Sequence, residues 1–429
     1  MAQSLAEIMR SGGPSLGGPP QARPATPPAT PEMVLESVEQ VEARAVSPVT
    51  EDLSQGLPNN VAVLKVIPTQ FDGETCFRLE MHFRGQIRTT SKPADLTNQR
   101  RPYLVMADVV ASREWVHDSA CAVKSYNKLV NWSDTKYTLT KWLTILRQEL
   151  GHELQLIIWD DTDFEIPWEL FRHSMDGKPA WLGTAVQLIR WTTVHEAGRE
   201  SQFSAELGEC GTDGGIVLFE DLELVADRNT SLCRTWPAPP GYEFAETMTQ
   251  LLDLLEDMTR IVGFVYVRCH GTHGASLEKT SLAEVTLASL GARTLRALQK
   301  SNPLIFLNTC NSARAVVDRS LGERANRTFA EVFLRRRARA VIATLAEVPV
   351  GHSNALARRL VKEAQSGHVA LAERLREHRA KYANSLPSHT ANLGETEQDA
   401  IKAFLFASMF VYFGHPDTTF RLASHDHEG

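Results

Sequence analysis

A histidine and a cysteine of this 429-residue chain each stand at the end of a short apolar run. His270 follows GFVYVRC and Cys310 follows PLIFLNT, which have the length and composition of buried β-strands. A cysteine attacks a carbonyl carbon as its thiolate, and an ordinary thiol with a pKa of about 8.5 is mostly protonated at neutral pH. Because a nearby imidazole can remove that proton, these residue types predict acyl transfer with Cys310 as nucleophile and His270 as base.

A glycine directly after the histidine adds a third part of such a site. Gly271 has no side chain, so its backbone can approach a substrate carbonyl closely. The N–H groups of Gly271 and Cys310 are then candidate donors to the oxyanion that forms during attack. His273 also precedes a glycine and is the competing base, but we prefer His270 because it is nearer the strand end. Taken alone, a cysteine that follows a strand is more often a small buried apolar side chain than a nucleophile.

The surrounding elements must bring together two positions that are distant in sequence. Apolar runs of strand length alternate with helical patterns from about residue 60 onward. This alternation predicts an α/β fold with three layers, α/β/α, in which helices cover both faces of a mostly parallel sheet. The carboxyl ends of parallel strands meet at one edge of the sheet, where α/β proteins form their sites. If the two runs are neighbouring strands, His270 and Cys310 meet at that edge.

The chain divides into three parts by composition. Residues 1–58 hold nine of the 21 prolines and predict a disordered tail, since such a segment buries too little apolar surface to order itself. Within the tail, residues 32–46 place valines on one helical face, which fits either a fluctuating helix or a docking segment for a partner or for the body of the protein. Residues 60–200 and 201–429 are predicted to form two α/β halves.

Composition and cysteine spacing exclude several classes of function. The net charge of -7 argues against a general nucleic-acid binder. The six cysteines form no C-x-x-C pair, so nothing predicts a zinc site or a redox motif, and we expect neither metal nor cofactor. The first residues lack the apolar stretch of a signal peptide, and no apolar run has the length of a membrane helix. We therefore expect a cytoplasmic protein with reduced thiols and no membrane contact.

Several motifs, in order, resemble those of the CHAT family, caspase-like cysteine proteases related to separases. FVYVRCHG is similar to the family's strand ending in a catalytic His-Gly, and LIFLNTCNSA resembles its strand ending in the catalytic cysteine. TFAEVFLRRRARAVIATLAEVP resembles the helix, strand and loop that follow, and FVYFGHPDTTF resembles the closing strand and turn. Upstream, FEIPWELF is similar to the family's proline-tryptophan-glutamate region. The resemblance covers about residues 150–416.

The resemblance implies a fold and a set of roles for these positions. It makes residues 60–200 a non-catalytic caspase-like half and residues 201–429 the catalytic half. It implies that His270 is the base, Cys310 the nucleophile and Gly271 part of the oxyanion hole of a cysteine endopeptidase. It also implies selective cutting of protein substrates under the control of a regulatory or activating protein partner, often in prokaryotic defence systems.

Substrate preference is predicted from acidic residues near the expected pocket. In caspase-like folds the end of the first catalytic-half strand helps to line the pocket for the residue before the cut, and here that strand is GIVLFEDLEL. Glu220, Asp221 and Glu223, together with Glu347 after a later strand, would favour Lys or Arg there. The alternative is that these carboxylates belong to solvated acidic loops.

Two other functions remain open on the sequence. A caspase-like body with an idle cysteine and histidine would serve as a non-enzymatic adaptor that binds a partner. A different thiol or serine hydrolase is the third possibility, although the chain has no G-x-S-x-G motif.

Overall fold

The computed structural model describes residues of the compact unit Thr50–Gly429, namely residues 53–54, 56–100, 119–175, 178–196, 199–201, 209–210, 214–221, 231, 242–318 and 326–422. The predicted tail, residues 1–58, lies outside these ranges except for 53–54 and 56–58. That last part is not solvated chain, because Leu53 and Leu57 pack against the core and the Leu53 N–H donates to His82 Nδ1 at 3.2 Å. Packed structure therefore begins before Val61, where the sequence predicted its start.

One sheet of eleven strands organises the described part of the chain. In chain order the strands are β1 Val61–Phe71, β2 Glu74–Phe83, β3 Gln86–Thr89, β4 Gln155–Asp160, β5 Gln187–Trp191, β6 Gly215–Glu220, β7 Glu243–Ala245, β8 Val262–Cys269, β9 Leu304–Thr309, β10 Ala340–Thr344 and β11 Phe410–Phe413. Across the sheet their order is β7-β6-β8-β9-β10-β11-β5-β4-β1-β2-β3. Seven of the ten neighbouring pairs are parallel. The predicted α/β fold with a mostly parallel sheet is confirmed.

Helices cover both faces of this sheet. The α-helices described are α1 Pro93–Thr97, α2 Ser119–Asp134, α3 Tyr137–Leu150, α4 Leu182–Ala185, α5 Met248–Glu256, α6 Leu287–Ala292, α7 Arg296–Ser301, α8 Phe329–Arg335, α9 Val350–Ser366, α10 Leu371–Ala383 and α11 Glu395–Ala407. Side chains of α5, α8 and α11 pack on the face that carries Val265 and Val267. Those of α9 and α10 pack on the opposite face with Phe264 and Tyr266. This double cover explains why β8 and β9 are buried along their whole length and read as continuous apolar runs.

Short pieces of sheet and helix complete the connections. The described 3-10 turns are Gly151–Glu153, Trp168–Leu170 and Leu277–Lys279. Three pairs of short strands are Arg172–Met175 with Lys178–Trp181, Val194–Glu196 with Arg199–Ser201, and Val316–Val317 with Asn326–Arg327. Two small sheets of three strands are Gly271–Thr272 with Ser281–Leu282 and Val285–Thr286, and Glu209–Cys210 with Thr419–Phe420 and Val369–Ala370. Threonine hydroxyls cap three of the described helices at their N-termini, and Thr286 caps α6 by accepting from the Ser289 N–H. Thr247 caps α5 by accepting from the Gln250 N–H, and Thr328 caps α8 by accepting from the Glu331 N–H.

The structure shortens one predicted helix. The residues 241–260, with their closely spaced leucines, are typical of one helix and were predicted as such from the sequence, whereas Glu243–Ala245 forms the edge strand β7 and the helix α5 spans only Met248–Glu256. The reason is tertiary, because β7 pairs in parallel with β6, and Thr247 then starts the helix as its N-cap. By contrast, the helix predicted near residues 135–150 is present as α3.

The sheet runs without a break across the boundary predicted between the two halves. β5 of the first half and β11 of the second are parallel neighbours joined at Arg190 and Phe413. The core on the α9–α10 face also includes first-half residues such as Ile157 and Ile189. The division into a non-catalytic and a catalytic half stays a prediction, but the packing makes one body of the described residues.

Candidate active site

Two neighbouring parallel strands end beside each other and carry the predicted dyad. β8 and β9 pair along most of their length, and the last pair is Cys269 with Thr309. His270 directly follows β8 and Cys310 directly follows β9, so both residues lie at the same edge of the sheet. The juxtaposition predicted from the two apolar runs is therefore confirmed at the level of strand pairing.

The Cys310 sulfur lies in a half-buried position among backbone donors. The N–H groups of Gly271, Cys310 and Val348 donate toward it, which favours the thiolate. Burial nevertheless raises the pKa of the Cys310 thiol to about 11, and the Glu347 carboxylate adds to this increase. The thiol is therefore protonated at neutral pH in this arrangement.

Glycine is required at position 271 by the closeness of the two loops. A Cβ atom built on Gly271 would overlap the carbonyl oxygen of Cys310, and its other nearest atoms also belong to the Cys310 backbone. The loop after β8 therefore lies directly on the backbone of Cys310. The sequence predicted that Gly271 approaches a substrate carbonyl, and that role stays a prediction, because the close contact in the structure is to the Cys310 carbonyl.

The two candidate histidines have different surroundings. His270 is exposed and lines a cavity of about 90 Å³ together with Cys310. Its carbonyl oxygen accepts a hydrogen bond from the Ala283 N–H at 2.9 Å, which helps to hold the loop. His273 does not line this cavity but lies 3.8 Å from Glu165, measured from Nε2 to Oε1. The geometry thus favours His270 over His273 as the partner of Cys310.

The cavity beside the dyad contains one positive and one negative side chain. Its lining residues are Arg268, Cys269, His270, Asn308, Thr309, Cys310, Thr344, Glu347 and Val348. Cys269 is buried, and burial raises the pKa of its thiol, in agreement with the packed thiol expected next to the base. The guanidinium of Arg268 is balanced by Glu220, whose Oε1 is 3.3 Å from Arg268 Nη1. The carboxylate of Glu347 therefore gives the cavity a net negative charge.

The structure separates the acidic residues that the sequence grouped. Glu220 is fully buried and also accepts from Ser231 Oγ at 2.6 Å, so its carboxylate is committed inside the protein. Asp221 does not line the cavity, and its N–H donates to the Arg268 carbonyl at 2.8 Å. Of the predicted acidic residues, Glu347 lines the cavity, while Glu223 lies outside the described residues.

A polar network beneath the dyad was missed by the sequence reading. Asn308 Nδ2 donates to the Tyr266 hydroxyl at 2.7 Å, and that hydroxyl donates to Asn354 Oδ1 at 3.0 Å. These three side chains connect β9, β8 and α9. Asn308 and Tyr266 stand shortly before Cys310 and His270, so the network lies beneath the two strand ends. The signal in the sequence was a polar residue inside an otherwise apolar strand, which must find a hydrogen-bond partner when buried.

Metal-ligating side chains do not cluster in the part of the chain that the structure describes. Among the described residues, no group of three or more His, Cys, Asp or Glu side chains could hold a metal ion. Within the same ranges, none of the helices is both long and apolar enough to cross a bilayer.

The fold and site define an α/β protein with a histidine and a cysteine at adjacent parallel strand ends. The family model of the CHAT domain matches residues 138–400. This is more than half of the chain, and it includes both strands of the dyad. The protein belongs to the CHAT domain family, and the resemblance predicted from its motifs is confirmed.

The solved structures that are similar to this chain include two of the Saccharomyces cerevisiae separase–securin complex. One is similar at 9% identity with a TM-score of 0.47, covering 85% of this chain and 30% of the other chain. The second has 9% identity and a TM-score of 0.49, covering 84% of this chain and 30% of the other. The protein thus spans less than a third of the chains that it matches. Among curated proteins, no sequence matches it.

Proposed function

We propose that this protein is a cysteine endopeptidase that cuts selected protein substrates through Cys310, with His270 as base. One observation carries the proposal: His270 and Cys310 leave adjacent parallel strands at the same edge and line one cavity. The family supports it, because the match to the CHAT domain covers both of these strands. Residues of the first half take no chemical part.

The proposed reaction follows from the groups around the sulfur. His270 accepts the thiol proton while Sγ of Cys310 attacks the carbonyl carbon of the scissile peptide bond. The N–H groups of Gly271, Cys310 and Val348, which converge at the sulfur, are the donors nearest to the oxyanion that forms. The imidazolium then protonates the leaving amine, which gives an acyl-enzyme on Cys310. His270 next activates water, which hydrolyses the thioester and restores the thiol.

Control by a protein partner is part of the proposal. The pKa of the Cys310 thiol, raised to about 11 by burial and by Glu347, keeps the nucleophile protonated in this arrangement. A partner that brings His270 onto the sulfur, or moves Glu347 away from it, would favour the thiolate and switch the enzyme on. A role in a prokaryotic defence system is the setting that the family resemblance suggests.

A preference for Lys or Arg before the cut rests on Glu347. The cavity beside Cys310 holds this carboxylate, while the charge of Arg268 is balanced by the buried Glu220. A basic substrate side chain would therefore meet a negative wall. The amide variant Glu347→Gln is expected to reduce that preference, and cuts after acidic residues would contradict it.

The deciding experiment compares the wild type with Cys310→Ala on a proteome-derived peptide library, with sequencing of the new amino termini. Cys121→Ala is the matched control, since Cys121 on α2 is half-buried, as Cys310 is. We expect cuts by the wild type and the control that disappear in Cys310→Ala. Cuts that persist in Cys310→Ala would contradict the mechanism.

A non-enzymatic adaptor is the second candidate, favoured by the high pKa of Cys310 in this arrangement. It predicts that neither protein cuts any peptide, even with its binding partner present, and that Cys310→Ala binds that partner as the wild type does. Cutting that appears when the partner is added would instead identify a latent protease.

A further inference from the structure

A loop of the first half reaches the catalytic edge and is rigidly held. It follows β4, and its first turn is fixed by the carboxylate of the half-buried Asp160. One oxygen of this carboxylate accepts from the Thr162 N–H at 2.9 Å, and the other accepts from Trp168 Nε1 at 2.9 Å. The loop therefore offers a firm support for any residue that it projects.

The residue that this loop projects is Glu165. Its neighbours Phe164 and Ile166 are each 1% exposed, so both sides of the residue are anchored in the core. Glu165 has a φ of 53°, in the left-handed region that a side chain other than glycine's seldom adopts. A strained backbone of this kind persists where the surroundings hold it, and such positions cluster at functional sites.

The carboxylate of Glu165 contacts the loops that follow both dyad residues. Oε1 accepts a hydrogen bond from Arg314 Nε at 2.7 Å, and Arg314 stands four residues after Cys310. The same oxygen lies 3.8 Å from Nε2 of His273, which stands three residues after His270. Burial, together with Arg314, lowers the pKa of His273 to about 4, so this imidazole is neutral near pH 7 and the contact is one of packing.

Arg314 is itself tied to the turn that carries the nucleophile. Its N–H donates to the Asn311 carbonyl at 3.0 Å, and the N–H of Ala313 donates to the Thr344 carbonyl at 2.9 Å. The side chains of Glu165 and Arg314 are only 10% and 17% exposed. A charge-assisted hydrogen bond that is partly shielded from water is screened less by salt and is stronger than a surface pair.

We infer that Glu165 is a positioning residue, which fixes the loop after Cys310 through Arg314 and supports the loop after His270 through His273. A positioning role for Glu165 at this site rests on the proposed function of Cys310 and His270. Neither Glu165 nor Arg314 nor His273 lines the cavity at Cys310, so these residues act on the site through the two loops.

The physical consequence concerns the donors at the sulfur. Gly271 and Cys310 supply backbone N–H groups to the thiol from the two different loops. If the loops are no longer held together, those donors leave the sulfur, and the thiolate loses stabilisation. Loss of Glu165 should therefore make Cys310 less reactive without removing any group that touches it.

The test measures how fast iodoacetamide alkylates Cys310 between pH 6 and 10, a range that spans the ordinary pKa of a thiol. Alkylation is read on the peptide that contains Cys310 by mass spectrometry. The proteins compared are the wild type, Glu165→Gln and Arg314→Gln. We expect both variants to react roughly threefold to tenfold more slowly at each pH, with their profiles shifted to higher pH. The double variant should be no slower than either single one, because both changes break the same contact. Asp253→Asn, which breaks the exposed pair with Arg293, is the control and should match the wild type.

Two further measurements keep the inference falsifiable. If Glu165→Gln does not fold, as judged by its melting temperature, Arg314→Lys retains the charge and should react at a rate between those of the wild type and Arg314→Gln. Once a substrate is known, kcat should fall about tenfold to a hundredfold while KM stays near the wild-type value, as expected for misplaced catalytic groups. Wild-type alkylation in folded variants, or effects that add in the double variant, would overturn the inference. Alkylation needs no substrate, so this result can be read even if the protease proposal fails.

Discussion

At the scale of single residues, the reactivity of Cys310 is set by opposing groups. Burial and the Glu347 carboxylate disfavour the thiolate, and three backbone N–H groups favour it. The first two effects dominate here, which leaves a protonated thiol at neutral pH. The nucleophile therefore depends on whatever changes its surroundings, whether substrate or partner.

Removal of the Glu347 charge should raise the reactivity of Cys310. Glu347 raises the pKa of the thiol, so Glu347→Gln lowers it toward its ordinary value. Below the pKa the thiolate fraction changes about tenfold for each pH unit, so iodoacetamide should alkylate the variant faster at pH 8, and its profile should shift to lower pH. The measurement is the rate of Cys310 alkylation against pH.

Glu395→Gln serves as the control for that change, because Glu395 is an exposed glutamate at the start of α11. It should leave the profile where the wild type has it. Equal rates for Glu347→Gln and the wild type would show that Glu347 does not act on the thiol.

The positions of His270 and Cys310 at the ends of neighbouring strands could be predicted because each residue follows a recognisable apolar run, whereas their catalytic roles stay a prediction. Glu165 could not, since no pattern near FEIPWELF connects it to residues more than a hundred positions later. The pairing of Glu220 with Arg268 was equally hidden, because it depends on the register that places them opposite each other on β6 and β8. Local sequence reports which elements form, whereas these contacts depend on which elements become neighbours.

At the scale of elements, a buried ion pair fastens the 3-10 turn Trp168–Leu170 to β5. Arg190 Nε donates to Glu169 Oε1 at 2.9 Å, and Arg190 Nη2 donates to the Ile166 carbonyl at 3.1 Å. The buried Arg379 of α10 lies close enough for Glu169 to favour its charge. The Trp-Glu pair at 168 and 169 therefore holds two elements of the fold together.

Loss of Glu169 should destabilise the whole protein. The side chain of Glu169 is 1% exposed, so Glu169→Ala leaves the buried guanidinium of Arg190 without its counter-charge. Breaking one partner of a buried pair typically costs about 3–5 kcal/mol, and the free energy of unfolding measured by chemical denaturation should fall by that amount. Glu153→Ala, an exposed glutamate in the turn before β4, should change it little. A cost for Glu169→Ala as small as that of the control would show that the pair contributes nothing to stability.

Element positions were predictable where a single periodicity covers the whole segment. The α3 helix and the β8 and β9 strands are of this kind. The edge strand β7 was not, because three residues are too few to show a period of two beside a strongly helical neighbour.

At the scale of the whole molecule, the shared sheet should make unfolding of the described body cooperative. Seven of the eight tryptophans lie before residue 201, so tryptophan fluorescence reports mainly on the predicted first half. Alkylation of the buried Cys269 on β8 reports on the second half, because this thiol is 3% exposed in the native state. We expect both signals to change at the same denaturant concentration.

Separate midpoints for the two signals would contradict that expectation. They would mean that one half unfolds while the other stays folded, and that the junction of β5 with β11 is already open at that point. The predicted two-half organisation would then describe independent folding units rather than two parts of one sheet.

The contact of Gly271 with the Cys310 carbonyl also limits how this sequence can vary. Any side chain at position 271 would collide with the backbone of the residue that carries the nucleophile, so no alternative amino acid fits without displacing the active loop. At Gly73, by comparison, the turn needs a positive φ of 74° but leaves open space around a Cβ, so Asn is an acceptable replacement. In a library of all single substitutions selected for activity, position 271 should therefore remain glycine, while position 73 in the β1–β2 turn should accept other residues.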